Sequence, residues 1–380
     1  MRPYQETISW LRFKLDLRQA PPSFWLLLGE CVAGIRHLTA IPLTPTESRA
    51  LEREVLGMGL QARLAQDGIS LGADQIQLHL QGRLQLPSSQ ESAQLELDDL
   101  LHTWQRLLQA PSPEGRTLDP SWILEIHRAL GNPEKGIERA GAWRISPYGI
   151  SPLEGVPPEV ISLFIEELCD WLNGPELAAP TEEEVPAFAL LRALVAELYW
   201  AWIRPFGFGN GKLIGTLSLE ILRQGGVGST AGHLAARFFM HSARAFRFQT
   251  DQAAAGMADP IPFLAFALRG ISDGLREIHE RARDLQITAQ WRAQLLDLFS
   301  DANDAPTRRQ RQVLLDLGEH GIALPQSDLP ALSTALAKLY AGVSEKTLRR
   351  DVDALVAAGI VRRSPEGIQV ERGQLLAFKR

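Results

Sequence analysis

The stretch from Ile203 to Lys212 has the residue types and spacing most suited to chemistry. Apolar periodicity predicts a helix over about Phe188 to Ile203 and another over about Lys212 to Arg223. Gly209, Asn210 and Gly211 therefore fall at a helix N-terminus. Backbone N–H groups converge there and the helix dipole adds positive potential, so an anion such as a phosphate is favoured. Lys212 is a candidate for a charge-assisted contact to that anion, and Arg204 for a second. Two other phosphate motifs fail. A P-loop needs glycine at 206 and serine or threonine at 213, where the chain has Phe206 and Leu213. A dinucleotide fingerprint needs a preceding strand and a third glycine at 212. From the loop alone, a plain glycine-rich helix–helix turn stays open as the alternative.

The elements that must hold this loop are mostly α. Glu159 to Asn173 carries Val160, Leu163, Phe164, Glu167, Leu168 and Trp171 along one side of a helix, after a Pro157-Pro158 start. Ile69 to Leu86 alternates weakly and predicts a hairpin or a loop. Ala142 to Pro152, rich in Gly and Pro between aromatic and β-branched residues, predicts a short hairpin or flap. Polar, short-chained residues from Ser300 to Pro306 read as a linker. Three regions result: a helical N-terminal region over 1–112, an all-helical core over 113–299, and a compact C-terminal domain over 306–380.

The loop and its surroundings resemble the Fic family, whose motif runs His-Pro-Phe-x-(Asp/Glu)-Gly-Asn-Gly-Arg-x-x-Arg. Glu125 to Leu130 looks like the helix end before that family's target-binding flap. Gly141-Ala142-Trp143-Arg144 resembles the opening of the flap, and Val156-Pro157-Pro158 with Leu168 to Asn173 resembles the helix that follows. The resemblance covers about 115 to 290, in family order. It implies a Fic-fold helical core with a short flap hairpin. In the family the motif histidine is a general base that deprotonates a target hydroxyl. The acidic residue holds Mg²⁺ on the nucleotide, and the glycine nest and two arginines hold the phosphates. The usual product is a protein carrying AMP.

Position by position, the motif is half intact. Pro205, Phe206, Gly209, Asn210 and Gly211 match. Arg204 replaces the histidine, and a guanidinium stays protonated and accepts no proton. Phe208 replaces the acidic residue and offers no oxygen to a hard cation, so Mg²⁺ binding is expected to be weak or absent. Lys212 stands for the first arginine without its bidentate fork, and Gly215 for the second with nothing. Arg204 keeps two readings, a phosphate or nucleic-acid contact and a cap on the preceding helix. Glu197, seven residues earlier, is a candidate partner for Arg204, with an exposed or locally satisfied carboxylate the blander expectation. Many Fic proteins carry an inhibitory helix of the form (Ser/Thr)-x-x-x-Glu-(Gly/Asn), whose Glu pairs with the second motif arginine. Arg63 to Gly68 is the nearest match, with Arg63 for the hydroxyl residue and Asp67 for the Glu. With Gly215 in the arginine position, an inhibitory ion pair has no partner.

From Thr307 onward the sequence resembles a winged helix-turn-helix domain. An amphipathic helix over Arg308 to His320 precedes a second over Leu332 to Tyr340. Gly342-Val343-Ser344 makes the turn into a third helix, Glu345 to Ala358, and Ile360 to Val370 is the expected two-stranded wing. Residues 306–380 hold twelve Lys and Arg against eight Asp and Glu, a local net of +4 in a chain of net −6. Lys346, Arg349 and Arg350 on the third helix, and Arg362 and Arg363 on the wing, are the candidate DNA contacts. A winged helix used only for protein contacts is the alternative.

Composition narrows the class. A net −6 excludes a uniformly basic nucleic-acid coat, and Cys31 and Cys169 are too far apart in sequence for a metal-type pair and fit a reducing cytoplasm. The apolar run from Phe24 to Ile35 is too short for a bilayer and contains Glu30, so no membrane partner is expected. The reading is a cytoplasmic Fic-fold protein without AMP transfer, a nucleotide- or phosphate-binding or regulatory module with DNA binding by the winged helix. ATP or another nucleotide is the candidate ligand. A protein target at the flap, through Trp143 and Arg144, and a homodimer are further candidate partners. The alternative is an active transferase of AMP or a related phosphate-linked group, with a diverged loop and a base supplied from elsewhere.

Overall fold

A computed structural model describes residues 8–84, 86–109, 117–131, 140–147, 155–255, 259–300 and 304–371. The chain divides into two compact units, Met1–His279 and Glu280–Arg380.

The first unit is helical. Its elements are α1 (Pro22–Ala40), α2 (Pro45–Gln66), α3 (Ala73–Leu80), α4 (Glu91–Gln109), α5 (Pro120–Ala129) and α6 (Ile161–Leu172). They are followed by α7 (Val185–Ile203), α8 (Asn210–Gln224), α9 (Thr230–His241), α10 (Ala243–Ala255) and the start of α11 (Ile261–Leu298). Helix α7 is the axis of the unit. Nearly every residue from Ala189 to Ile203 is buried, as expected of a helix apolar on all sides. The stretch Glu182–Ile203 is long and apolar enough to cross a membrane, yet 72% of its apolar window is buried inside the protein, which marks a core helix. Helix α2 starts on a capping box, with Thr44 and Glu47 satisfying each other's backbone N–H groups. It runs closely against α9: a β-carbon on Gly59 would lie 2.1 Å from the buried ring of His233.

The sequence between 69 and 86 departs from the expected hairpin or loop, because Ala73–Leu80 is the helix α3. Alternating Ile76, Leu78 and Leu80 suggested a strand, but Ile76 alone is buried, and Gln75 reaches back to the N–H of Gly72 to start the helix. The expected flap hairpin falls largely on 148–154, outside the described residues. Residues 140–147 contain turns and no strand.

The second unit has its own core, built from Trp291 and Leu295 of α11 together with Leu314, Leu329, Val352 and Val361. Its elements are α12 (Ala305–His320), α13 (Thr334–Tyr340), α14 (Glu345–Ala357) and the antiparallel strands β1 (Val361–Ser364) and β2 (Gly367–Val370). Val361 pairs with Val370 and Ser364 with Gly367, and Leu324 bridges to Ile368 at the hairpin's side. Asp351 of α14 is buried and accepts from Arg309 Nε of α12 at 2.7 Å and from the Tyr340 hydroxyl of α13 at 3.0 Å. One carboxylate therefore ties three helices together.

Candidate functional site

The loop between α7 and α8 is fixed by four side chains. Arg204 ends α7 in the left-handed region (φ 47°, ψ 66°), and its N–H donates to Trp200 O at 2.8 Å. That backbone is unusual for a side chain other than glycine and costs roughly 1–2 kcal/mol. Arg144 compensates. Its buried guanidinium donates to the carbonyl oxygens of Arg204 (2.7 Å), Ser146 (3.0 Å), Ile203 (3.5 Å) and Val156, meeting last-turn acceptors that α7 leaves open. The Arg144 N–H also donates to Pro205 O at 3.0 Å.

Phe206 is fully buried. The ring of His127 stacks on it at 3.7 Å between centroids and 13° between planes, with Trp143 at 5.0 Å and Trp200 at 6.1 Å. His127 Nδ1 accepts from the Gly141 N–H at 2.9 Å, so its proton sits on Nε2, which donates to Phe208 O at 3.1 Å. Burial pushes the His127 pKa down to about 4, and the imidazole stays neutral. Asn210 closes the loop, donating to Phe206 O at 2.7 Å and accepting from the Phe206 N–H at 3.2 Å.

The first turn of α8 is the predicted anion nest, and the chain fills it with its own carboxylate. Gly211 N donates to Asp67 Oδ1 at 2.8 Å and Lys212 N to Asp67 Oδ2 at 2.9 Å. Asp67 is the C-cap of α2. Desolvation pushes its pKa up, against the two backbone hydrogen bonds, which pull it down. Two glycines let α2 come this close: a β-carbon on Gly211 would meet Gln66 Cβ at 2.6 Å, and one on Gly215 would meet Arg63 Nε at 2.8 Å.

Arg63 fills the space that Gly215 leaves. It is buried and makes a bidentate pair with Glu197 of α7, one arm of it Nη1 to Oε2 at 3.0 Å, and also donates to Gln66 at 3.0 Å. Glu197 further accepts from Ser218 Oγ of α8 at 2.8 Å. The partner of Glu197 is thus Arg63, neither Arg204 nor a neighbour in sequence. Asp67, read above as an inhibitory residue without a partner, finds two backbone N–H groups in place of an arginine.

The other predicted residues fall as follows. Gly209, at φ 72°, turns the chain into α8. Lys212 is buried, and its ammonium pairs with Glu96 of α4 and donates to Leu130 O at 3.2 Å. Arg204 is exposed at the C-cap of α7. Phe208 packs 4.7 Å from the His127 ring. Among the described residues, no group of three or more His, Cys, Asp or Glu is placed to hold a metal ion. Arg63, Glu96 and His127 were not picked out as site residues. Arg63 alone carried a signal, since the sequence has glycine at 215, where the resemblance expects an arginine, and an arginine one helical turn before Asp67.

Beside the loop lies an open cavity of about 840 Å³, between the end of α2, the loop and the α9–α10 junction. Similar architecture occurs in solved structures. A Fic family protein from Desulfovibrio desulfuricans G20 is 18% identical, with a TM-score of 0.50 over 93% of this chain and 97% of that one. Residues 134–508 of Fic-1 from C. elegans are 16% identical, with a TM-score of 0.53 over 68% of this chain and 73% of that one. The chain has the Fic fold. No protein-family model and no curated protein matches it at sequence level. The loop from Arg204 to Gly209 joins α7 to α8.

In the second unit, Lys346, Arg349 and Arg350 are exposed on α14 and make no ion pair among the described residues. The hairpin arginines are engaged: Arg362 pairs with Glu371 at 2.8 Å, and Arg363 pairs with Asp353.

Proposed function

We propose that this chain is a regulatory Fic-fold protein that does not transfer AMP, joined to a winged-helix unit that binds duplex DNA. The observation that carries the first half is the Asp67 carboxylate seated on the N–H groups of Gly211 and Lys212. A phosphate cannot take donors already given to a carboxylate, and the two anions repel at that distance. Arg204 stands where a base is needed, and Phe208 where a metal ligand is needed. A resident Mg²⁺ finds no carboxylate at position 208, so no step is assigned to one.

The second half rests on the arrangement of α12 to β2, three helices and a hairpin, and on three exposed cations of α14 that make no ion pair among the described residues. Cations so placed neutralise phosphates and release counterions. The buried thiols of Cys31 and Cys169, each pushed up to about 12 by burial, are chemically quiet and fit a cytoplasmic protein.

Two assays test this reading. Purified protein incubated with radiolabelled ATP, Mg²⁺ and a whole-cell extract is expected to label nothing above background. Fluorescence anisotropy on a mixed-sequence duplex is expected to show salt-dependent binding that collapses when Lys346, Arg349 and Arg350 are all changed to Ala. Labelling of any protein sinks the first half, and an unchanged affinity in the triple variant sinks the second.

A further inference from the structure

The segment ahead of α1, residues 8–16, has no task in the proposal above. From Leu11 to Asp16 it belongs to no helix or strand. Apolar and basic side chains alternate along it. Leu11 and Leu15 are buried and Phe13 is half-buried, while Arg12 and Lys14 are exposed. The Phe13 ring rests in an aromatic seat, 6.2 Å from Phe164 and 6.0 Å from Trp171 of α6, and 5.1 Å from Tyr199 of α7. The Leu15 N–H donates to Glu176 Oε1 at 2.7 Å, and Oε2 of the same carboxylate accepts from the Trp171 indole at 2.9 Å. Trp171 and Tyr199 also touch each other, with 4.8 Å between ring centroids. The wall of the seat and its acceptor therefore hold together through contacts that do not involve the segment. The segment itself is strained, because Phe13 has a φ of 46°, which disfavours any side chain other than glycine. A single turn, Leu17–Gln19, and the pair Pro21-Pro22 join it to α1.

We propose that this seat is a peptide-recognition site, filled in cis by residues 8–16 and open to a peptide of the same pattern on a partner protein. That pattern is an aromatic residue with an apolar residue two positions to either side and neutral or basic residues between. Alternate side chains entering pockets, with a fixed acceptor for a backbone N–H, is a general way to read a peptide without regular structure. Acidic residues beside the central aromatic are disfavoured by the Glu176 carboxylate. The short tether holds the cis segment at an effective concentration in the roughly millimolar range, so a partner displaces it only by binding more tightly. A partner whose backbone avoids the strain at Phe13 has that advantage.

Fluorescence polarisation tests this with a labelled peptide of the sequence Ile8 to Asp16 and three full-length chains: the parent, Phe13→Ala, and Phe13→Ala with Glu176→Ala. Phe13→Ala loosens the cis segment, so it is expected to bind the peptide with a Kd below about 100 µM, at least about tenfold more tightly than the parent. Adding Glu176→Ala, a change at an exposed residue, is expected to weaken that binding about tenfold by removing the acceptor for the Leu15 N–H. A control peptide with alanine in place of its phenylalanine is expected to bind about tenfold more weakly or not at all. A gain of binding on removing a side chain cannot come from a chain that fails to fold. Equal binding by parent and Phe13→Ala, no binding by Phe13→Ala up to about 1 mM, or binding indifferent to Glu176 overturns the proposal. Hydrogen exchange on the unaltered parent is the second measurement. Amides of residues 11–15 are expected to exchange at least about a hundredfold faster than the interior of α6 and α7, since the segment detaches on its own. Equal protection makes the segment an inseparable part of the core and also overturns the proposal.

Discussion

Asp67 and Arg63 together give this loop its character. The arginine expected on α8 is absent at Gly215, and its volume and charge are supplied from α2 by Arg63. Removing one member of a buried pair leaves an uncompensated charge, so Glu197→Ala is expected to cost ~3–5 kcal/mol. Denaturant melts read this directly, and a loss below about 1 kcal/mol would mean Arg63 finds water. Gly215→Ala should cost ~1–3 kcal/mol by overpacking against Arg63, the opposite of the usual gain when a helical glycine becomes alanine. His127 and His233 contribute a pH dependence. Burial lowers their pKa values to about 4 and about 3, from an ordinary value near 6.5, so the folded protein refuses protons that the unfolded chain accepts. Their stabilisation is complete above pH 6.5 and falls as pH drops from there toward 4 and 3, by up to ~1.4 kcal/mol per pH unit for each ring. Asp67, whose pKa burial raises, opposes that slope. The comparison to make is therefore parent against His127→Gln, and the variant should show a shallower loss between pH 6.5 and 4. Parallel curves would contradict a neutral, buried His127.

At the scale of elements, the site is a three-helix clamp. Helix α2 delivers Arg63 and Asp67, α7 delivers Glu197, and α8 offers its N-terminal donors and Ser218. Arg144 fastens the segment 144–146 to the end of α7, so Arg144→Ala should loosen the loop and speed hydrogen exchange at Arg204 and Gly207 before it affects α7 as a whole. In the second unit, Asp351 ties α12, α13 and α14, and Asp351→Ala should lower stability by ~3–5 kcal/mol because Arg309 and Tyr340 lose their shared acceptor. Much of this layout is legible in the sequence. The helices flanking the loop and α6 follow from apolar period and proline starts, and the helix–helix–helix–hairpin order of the second unit follows from its resemblance to winged helix-turn-helix domains. The run from 69 to 86 misleads because three apolar residues at alternate positions mimic a strand while only Ile76 is buried. The clamp is the least legible part. Arg63 and Glu197 lie 134 residues apart, Lys212 and Glu96 116 apart, and the partners of Asp67 are backbone groups, which leave no mark on residue type.

In the first unit, the fold brings the end of one helix onto the backbone donors of another. Placing a histidine and an acidic residue in the loop by Arg204→His with Phe208→Asp should therefore not confer AMP transfer, because neither change removes Asp67 from the nest. Adding Asp67→Ala vacates the donors, and only that triple variant is expected to show transfer above background in a labelled-ATP assay. Transfer by the double variant alone would mean that the plug yields readily to nucleotide.

The most direct test of the closed nest is titration of ATP, without Mg²⁺, into the parent and into Asp67→Ala. The account predicts weak or undetectable binding to the parent and a gain of about tenfold or more in the variant, as two backbone donors and a repelled anion's space are released. Tight binding to the parent that Asp67→Ala leaves unchanged would contradict it.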